Sequence, residues 1–271
     1  MEQKKVLIIA IGWEQEPLID ELSKRGHLLY GVHYNQNYYQ GVDYQDVLVT
    51  DIRNIDKISE YATKIKPDAV IADQDDYAQF AQAVIADQLN LTGPSIQQAQ
   101  ISNNKYLQRL QAQKNGVKIP NFALVTSKED ILNFAEKKGY PIIIKPIDNR
   151  GSIGVEKINS QDEISTAYFS ALSNSHSFLV IVEEFIEGVE VTCGVINVNN
   201  KEIKALPPTE IVTENEFFDY EAKYKGESEE ITPARISKKL TIEIQKQSKD
   251  IFELLNLKGM ARVDFMIKND V

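Results

Sequence analysis

Over residues 1–98 the chain alternates short apolar runs with amphipathic stretches, and this rhythm restricts the fold more than any other feature. VLIIAIG (6–12), HLLYGVHYN (27–35), DVLVTDI (46–52) and DAVIA (68–72) read as strands. EPLIDELSKRG (16–26), NIDKISEYATKI (54–65) and DDYAQFAQAVIADQLN (75–90) read as helices between or after them. Ile55, Ile58, Tyr61, Ala62 and Ile65 fall on one helical face. Strands separated by helices must run parallel, with the helices covering the sheet. LTGPS (91–95) breaks the rhythm and sets a boundary near residue 98.

Beyond it the pattern changes. Residues 96–116 read as one helix closed by Gly116. FALV, the helical EDILNFAEKKG, IIIK, GVEKI and FLVIVEEF then suggest a small α+β unit over 99–188. Over 189–271, residues 190–198 and 201–206 read as strands, and the acidic stretch from Leu206 to Ala234 as mostly loop. A helix is expected from about Ser237 to Asn256, and GMARVDFMI as a last strand.

Forty acidic against thirty basic residues give a net charge of -10, which argues against general nucleic-acid or anionic-membrane binding. A single cysteine, Cys193, excludes an internal disulfide, lies in an apolar stretch and suits a reducing cytoplasm. MEQKKVLIIAIG is read as a first strand and not a signal peptide, and no run is long and apolar enough to span a membrane.

GYPIIIKPIDNRGSIGV (139–155) ends a buried-looking strand on Lys145. A lysine there either snorkels to water or faces an anion. Gly151 and Gly154 let backbone N–H groups approach phosphate closely, and Ser152 adds a hydroxyl; a plain hairpin turn is the alternative. In MARVDFMI, period-2 alternation puts Arg262 and Asp264 on one face, with Ala261, Val263, Phe265 and Ile267 on the other. Asp73, Gln74, Asp75 and Asp76 follow a strand's carboxyl end, where they either hold an amino group or cap a helix.

Taken in order, SNNKYLQRL, IIIKPIDNRGSIGV, VEEFIEGVEVT, FFDYEAKYKG and MARVDFMI resemble the ATP-grasp superfamily from about residue 100 onward. DYEAKY followed by ITPA is similar to the D-alanine–D-alanine ligase branch, whereas the N-terminal part looks more like carbamoyl phosphate synthase and other carboxylate–amine ligases. The resemblance implies a Rossmann-like pre-ATP-grasp domain (1–98) followed by two ATP-grasp subdomains (99–188 and 189–271). It implies ATP and Mg²⁺ as cofactors. Lys105, Lys145, Gly151, Ser152 and Gly154 would meet the phosphates. Glu183, Glu184, Phe185 and Ile186 would form the adenine hinge, and Glu190 would meet the ribose. Lys223 would reach the γ-phosphate, with Tyr224 bordering the acceptor site. Arg262 would stabilise an oxyanion, and Asp264 would ligate the metal.

The family's second metal motif, Glu-x-Asn on the next strand, is not found, so the second ATP-grasp subdomain reads as C-terminally incomplete. The expected activity is ligation of a small carboxylate to an amine, amino acids among the candidates, through an acyl phosphate with release of ADP and phosphate. A homodimer is implied. The competing reading is an ATP-binding regulatory or interaction protein on a catalytically incomplete fold. A nucleotide-dependent dehydrogenase ranks behind both, because only Gly12 follows the first strand and no GxGxxG is present.

Overall fold

The structure, a computed structural model, describes residues 2–198, 202–213 and 228–269. It divides into two compact units, Met1–Asn103 and Asn104–Val271.

In the first unit β1 (Lys5–Ile9), β2 (Leu28–His33), β3 (Tyr44–Val49) and β4 (Ala69–Ala72) form a parallel sheet in the order β3-β2-β1-β4. Successive side chains of β1 point to opposite faces, and both faces are buried. Leu7 and Ile9 pack with α2 (Ile55–Ile65) and α3 (Asp76–Gln88), while Val6 and Ile8 pack with Ile19 of α1 (Glu16–Lys24). Asn54 caps α2, and Asp75 caps α3 by accepting from the Tyr77 and Ala78 amides at 3.0 Å. Of the acidic group after β4, Asp75 is therefore a helix cap. The expected single helix over 96–116 is two, α4 (Ile96–Ser102) and α5 (Lys105–Lys114). Asn104 takes extended backbone and accepts from the Leu107 amide, so the second helix starts afresh and the chain breaks between them.

The second unit holds two antiparallel sheets. The smaller joins β5 (Phe122–Val125), β6 (Ile142–Pro146), β7 (Glu156–Ile158) and β8 (Val180–Glu184) in the order β5-β8-β6-β7. Ile142, Ile144, Val180 and Val182 pack on α6 (Lys128–Lys138) and α7 (Ile164–Ser173). The sequence reading omitted α7. ISTAYFSALS has no charged residue to mark a solvent face, although Ile164, Ala167, Tyr168 and Ala171 keep helical spacing and are buried.

The larger sheet is built on β9 (Val189–Val198). β13 (Met260–Ile267) lies along one edge of β9, and β11 (Thr209–Thr213) and β10 (Glu202–Ala205) share the other. β12 (Ser228–Ile231) pairs with β11, so part of the segment expected to be loop is strand. Val191 and Cys193 pack under α8 (Lys238–Leu254) with Ile244 and Ile267. Among the described residues no helix is long and apolar enough to cross a membrane.

Candidate functional site

Register explains where Lys145 points. Ile143 pairs with Lys157 on one side and with Glu183 on the other, so these three side chains share one face of the small sheet. Lys145, two residues beyond Ile143, points the same way and pairs with Ile181. This is the face opposite α6 and α7. Helix α5 reaches it: Arg109 donates from Nε to Glu183 Oε1 at 2.7 Å and from Nη2 to Oε2 at 3.2 Å. Lys145 Nζ lies 2.5 Å from Glu183 Oε2.

The cluster is nearly dry. Side-chain exposure is 4% for Glu183, 15% for Lys145 and 28% for Arg109. Burial alone would raise the Glu183 carboxyl, but Lys145 and Arg109 overcome it and hold the group at about 2. Burial pulls the Lys145 ammonium below its usual range despite the attraction of Glu183, and Arg109 pushes the same way. Two cations on one carboxylate leave a net charge of +1, which favours an anionic ligand.

The loop joining β6 to β7 is a long hairpin connection. Gly151, Ser152 and Gly154 all have positive φ, at 63°, 59° and 74°. A Cβ on Gly154 would stand 2.8 Å from Asn174 Cβ, so both conformation and space demand glycine there. The base of the loop is pinned from three directions. Asp148 accepts from Ser175 Oγ at 2.8 Å, the His176 amide at 3.0 Å and the Ser177 amide at 2.8 Å. Burial opposes the Asp148 charge, but these donors win and hold its carboxyl below the usual range. Asn149 donates to the Asn174 carbonyl at 2.7 Å, and its own carbonyl accepts from Lys105 Nζ. Lys105 and Arg109, one helical turn apart, thus serve the same face from α5.

The chain leaves the small sheet through Glu184, Phe185 and Ile186, all half-buried, and enters β9 with Glu190. Glu184 is anchored by Asn121, whose carbonyl accepts the Glu184 amide at 2.9 Å and whose side chain meets Glu184 Oε2 at 2.6 Å. Lys157 Nζ lies 4.5 Å from the Phe185 ring centroid. A Cβ on Gly188 would stand 2.1 Å from the Ile267 carbonyl oxygen, so glycine lets this connection lie against β13.

On β13 the alternation read from sequence holds. Arg262 and Asp264 lie on the exposed face, while Ala261, Val263, Phe265 and Ile267 are half-buried or buried. Arg262 Nε donates to Asp264 Oδ1 at 3.0 Å, and Thr192 Oγ1 donates to the same oxygen at 2.7 Å. Nη2 reaches Oδ2 only at 3.4 Å. Asp264, then Glu230 and Glu190, raise the Arg262 guanidinium further above its usual range. Among the described residues no three His, Cys, Asp or Glu side chains converge as a metal cage. Asp264 offers a single carboxylate, the least that a magnesium ion shared with a substrate's phosphates requires, and both of its oxygens already accept from Arg262 or Thr192.

Lys145 and Glu183 are therefore in direct contact, Lys105 meets the loop that follows Lys145, and Arg262 meets Asp264. Lys223 and Tyr224 lie outside the described residues. Sequence reading missed Arg109 and Asp148. The four-residue spacing of Lys105 and Arg109 is the signal that would have found the first; Asp148 carried none.

The family described as D-ala D-ala ligase C-terminus matches residues 112–271, more than half of the chain. The chain is 41% identical over 173 residues to a D-alanine–D-alanine ligase of Azobacteroides pseudotrichonymphae genomovar. CFP2, covering 62% of this chain and 52% of that protein. It is 45% identical over 144 residues to one of Flavobacterium johnsoniae, covering 52% of this chain and 44% of that protein. The chain thus spans about half the length of the curated relatives it matches. The fold is similar to N5-carboxyaminoimidazole synthetase from Staphylococcus aureus complexed with ADP, with a TM-score of 0.81 and 18% identity, covering 100% of this chain and 69% of that one. It is also similar to L-amino acid ligase from Bacillus licheniformis, with a TM-score of 0.80 and 18% identity, covering 100% of this chain and 65% of that one. With more than half of its length matched, the chain belongs to the D-alanine–D-alanine ligase C-terminal family of the ATP-grasp superfamily.

Proposed function

We propose that this chain carries the nucleotide site of an ATP-dependent carboxylate–amine ligase acting through an acyl phosphate. The observation that carries the reading is the Lys145–Glu183–Arg109 cluster. A protein of net charge -10 has gathered Lys105, Arg109, Lys145 and Lys157 around one sheet face, with Glu183 as the acid within the cluster. An ammonium has three donors, so Lys145 can keep Glu183 and still offer N–H groups to phosphate oxygens. Lys105 acts from the other side of the loop, and Gly151, Ser152 and Gly154 shape a backbone that closes on the phosphates. Glu184, Phe185 and Ile186 form the adenine hinge with Glu183, and Glu190 accepts from ribose hydroxyls.

Transfer of the γ-phosphoryl group to a substrate carboxylate gives an acyl phosphate and ADP. Attack by an amine then forms the C–N bond and releases phosphate. Arg262 stabilises the oxyanion formed in that attack, and Lys223 serves the γ-phosphate. Magnesium at Asp264 would neutralise charge on the phosphates. Amino acids are the proposed substrates, on the strength of the names of the relatives. The three-part division at residues 98 and 188, a cytoplasmic location and a homodimer belong to the same reading.

Calorimetric titration of the chain with ATP and with ADP tests the site. Saturable one-to-one binding of both is expected. Absence of binding in a folded chain overturns the nucleotide reading.

A further inference from the structure

We propose that Arg109 is a positioning residue that makes the site selective for a purine carrying an amino group at position 6. The inference rests on the nucleotide reading above and deepens it.

A carboxylate has about four lone-pair directions on its two oxygens. On Glu183, Oε2 is met by Arg109 Nη2 at 3.2 Å and by Lys145 at 2.5 Å, and Oε1 by Arg109 Nε at 2.7 Å. Among the described residues both acceptor directions of Oε2 are taken, and one remains on Oε1. The guanidinium is a rigid planar fork, and its two-point grip fixes the plane of the carboxylate as well as its distance. Glu183 is the penultimate residue of β8, directly before the hinge segment Glu184–Ile186. A ligand edge lying along that hinge therefore meets an acceptor with one unfilled direction and no proton to give.

Such an acceptor welcomes an N–H donor and repels a carbonyl oxygen. Adenine presents an amino group at position 6, whereas hypoxanthine and guanine present oxygen. A site built around a buried polar group discriminates strongly, because the wrong partner leaves that group unpaired in a dry environment. Lys145 cannot supply this orientation alone, since an ammonium is a point charge on a flexible stem and binds one oxygen without fixing the plane. Its contact is also expected to be shared with phosphate. Arg109 alone contacts both oxygens of Glu183 among the described residues.

The test compares ATP with inosine triphosphate, which differs at the 6-position edge, and with purine riboside triphosphate, which has no substituent there. Binding is measured by calorimetry for the wild type, Arg109→Gln and Arg109→Lys, with thermal unfolding as a check on folding. The wild type is expected to prefer ATP over inosine triphosphate by about 100-fold, with purine riboside triphosphate between them. Arg109→Gln is expected to lower that preference to below about fivefold. Arg109→Lys keeps the charge and loses the fork, so its preference is expected to fall between the two.

Loss of affinity for all three nucleotides in equal proportion would overturn the proposal, because a merely structural role predicts that pattern. If Arg109→Gln fails to fold, Arg109→Lys decides: a wild-type preference in that variant overturns the proposal, and a reduced one supports it. A wild type that binds none of the nucleotides removes the parent reading. A wild type that binds all three equally removes this inference and leaves the parent reading intact.

Discussion

Replacing Glu183 by glutamine keeps the shape of the side chain and removes its charge from between Lys145 and Arg109. The folded structure holds the Glu183 carboxyl at about 2 against an ordinary 4.5. At about 1.4 kcal/mol per tenfold change, that difference contributes about 3 kcal/mol of stability at neutral pH. Glu183 is almost fully buried, so solvent screening removes little of it. Its carboxyl is lowered on folding, so between pH 4.5 and 2 the unfolded chain binds more protons. The contribution is fully present above the upper value and is lost as pH falls through the lower one. About half of it remains at pH 3.

Hydrogen exchange of amides in Ile142–Pro146 and Val180–Glu184 reads this sheet without mixing in the other unit. Glu183→Gln should reduce protection relative to wild type by about 100-fold at pH 7 and about tenfold at pH 3. Equal protection at pH 7, or the same ratio at both pH values, would refute the assignment of Glu183 as a buried carboxylate held ionised by two cations.

Other perturbations test other parts of the site. Lys145→Ala should weaken ATP binding about 100-fold by calorimetry, and unchanged affinity in a folded variant would leave Lys145 as a lysine that only balances Glu183. Gly154→Ala should cost about 1–3 kcal/mol in thermal unfolding, because alanine meets both the positive φ and the Asn174 side chain. Asp148→Ala should cost about 1–3 kcal/mol by stranding the donors of Ser175, His176 and Ser177. Its effect should fade in acid as the lowered Asp148 carboxyl of the wild type protonates.

The legible parts of this chain were those governed by local periodicity. Period-2 alternation placed Arg262 and Asp264 together, and strand–helix alternation gave the parallel sheet, because in each case the deciding contacts lie within a few residues. What escaped depends on pairing between distant segments. Lys145 and Glu183 could each be singled out, but their contact follows from the register of β6 on β8. Arg109 joins them from a third segment. Helix α7 was missed because its outward face carries serine and threonine in place of charge, and the helix break at Asn103–Asn104 because two asparagines read as ordinary polar residues until one becomes a cap. The resemblance places Glu183 in the adenine hinge, but nothing in VEEFIEG signals its ion pairs with Lys145 and Arg109.

The central claim, phosphoryl transfer to a carboxylate, is tested most directly by isotope transfer. The chain is incubated with ATP, Mg²⁺ and D-alanine whose carboxylate carries ¹⁸O, and the products are analysed by mass spectrometry. An acyl-phosphate route forms a bond from carboxylate oxygen to the γ-phosphorus and later breaks the acyl C–O bond, so ADP and ¹⁸O-labelled inorganic phosphate are predicted. Label in AMP would contradict the account, and nucleotide binding with no labelled product would favour a protein that binds ATP without ligase chemistry on this substrate.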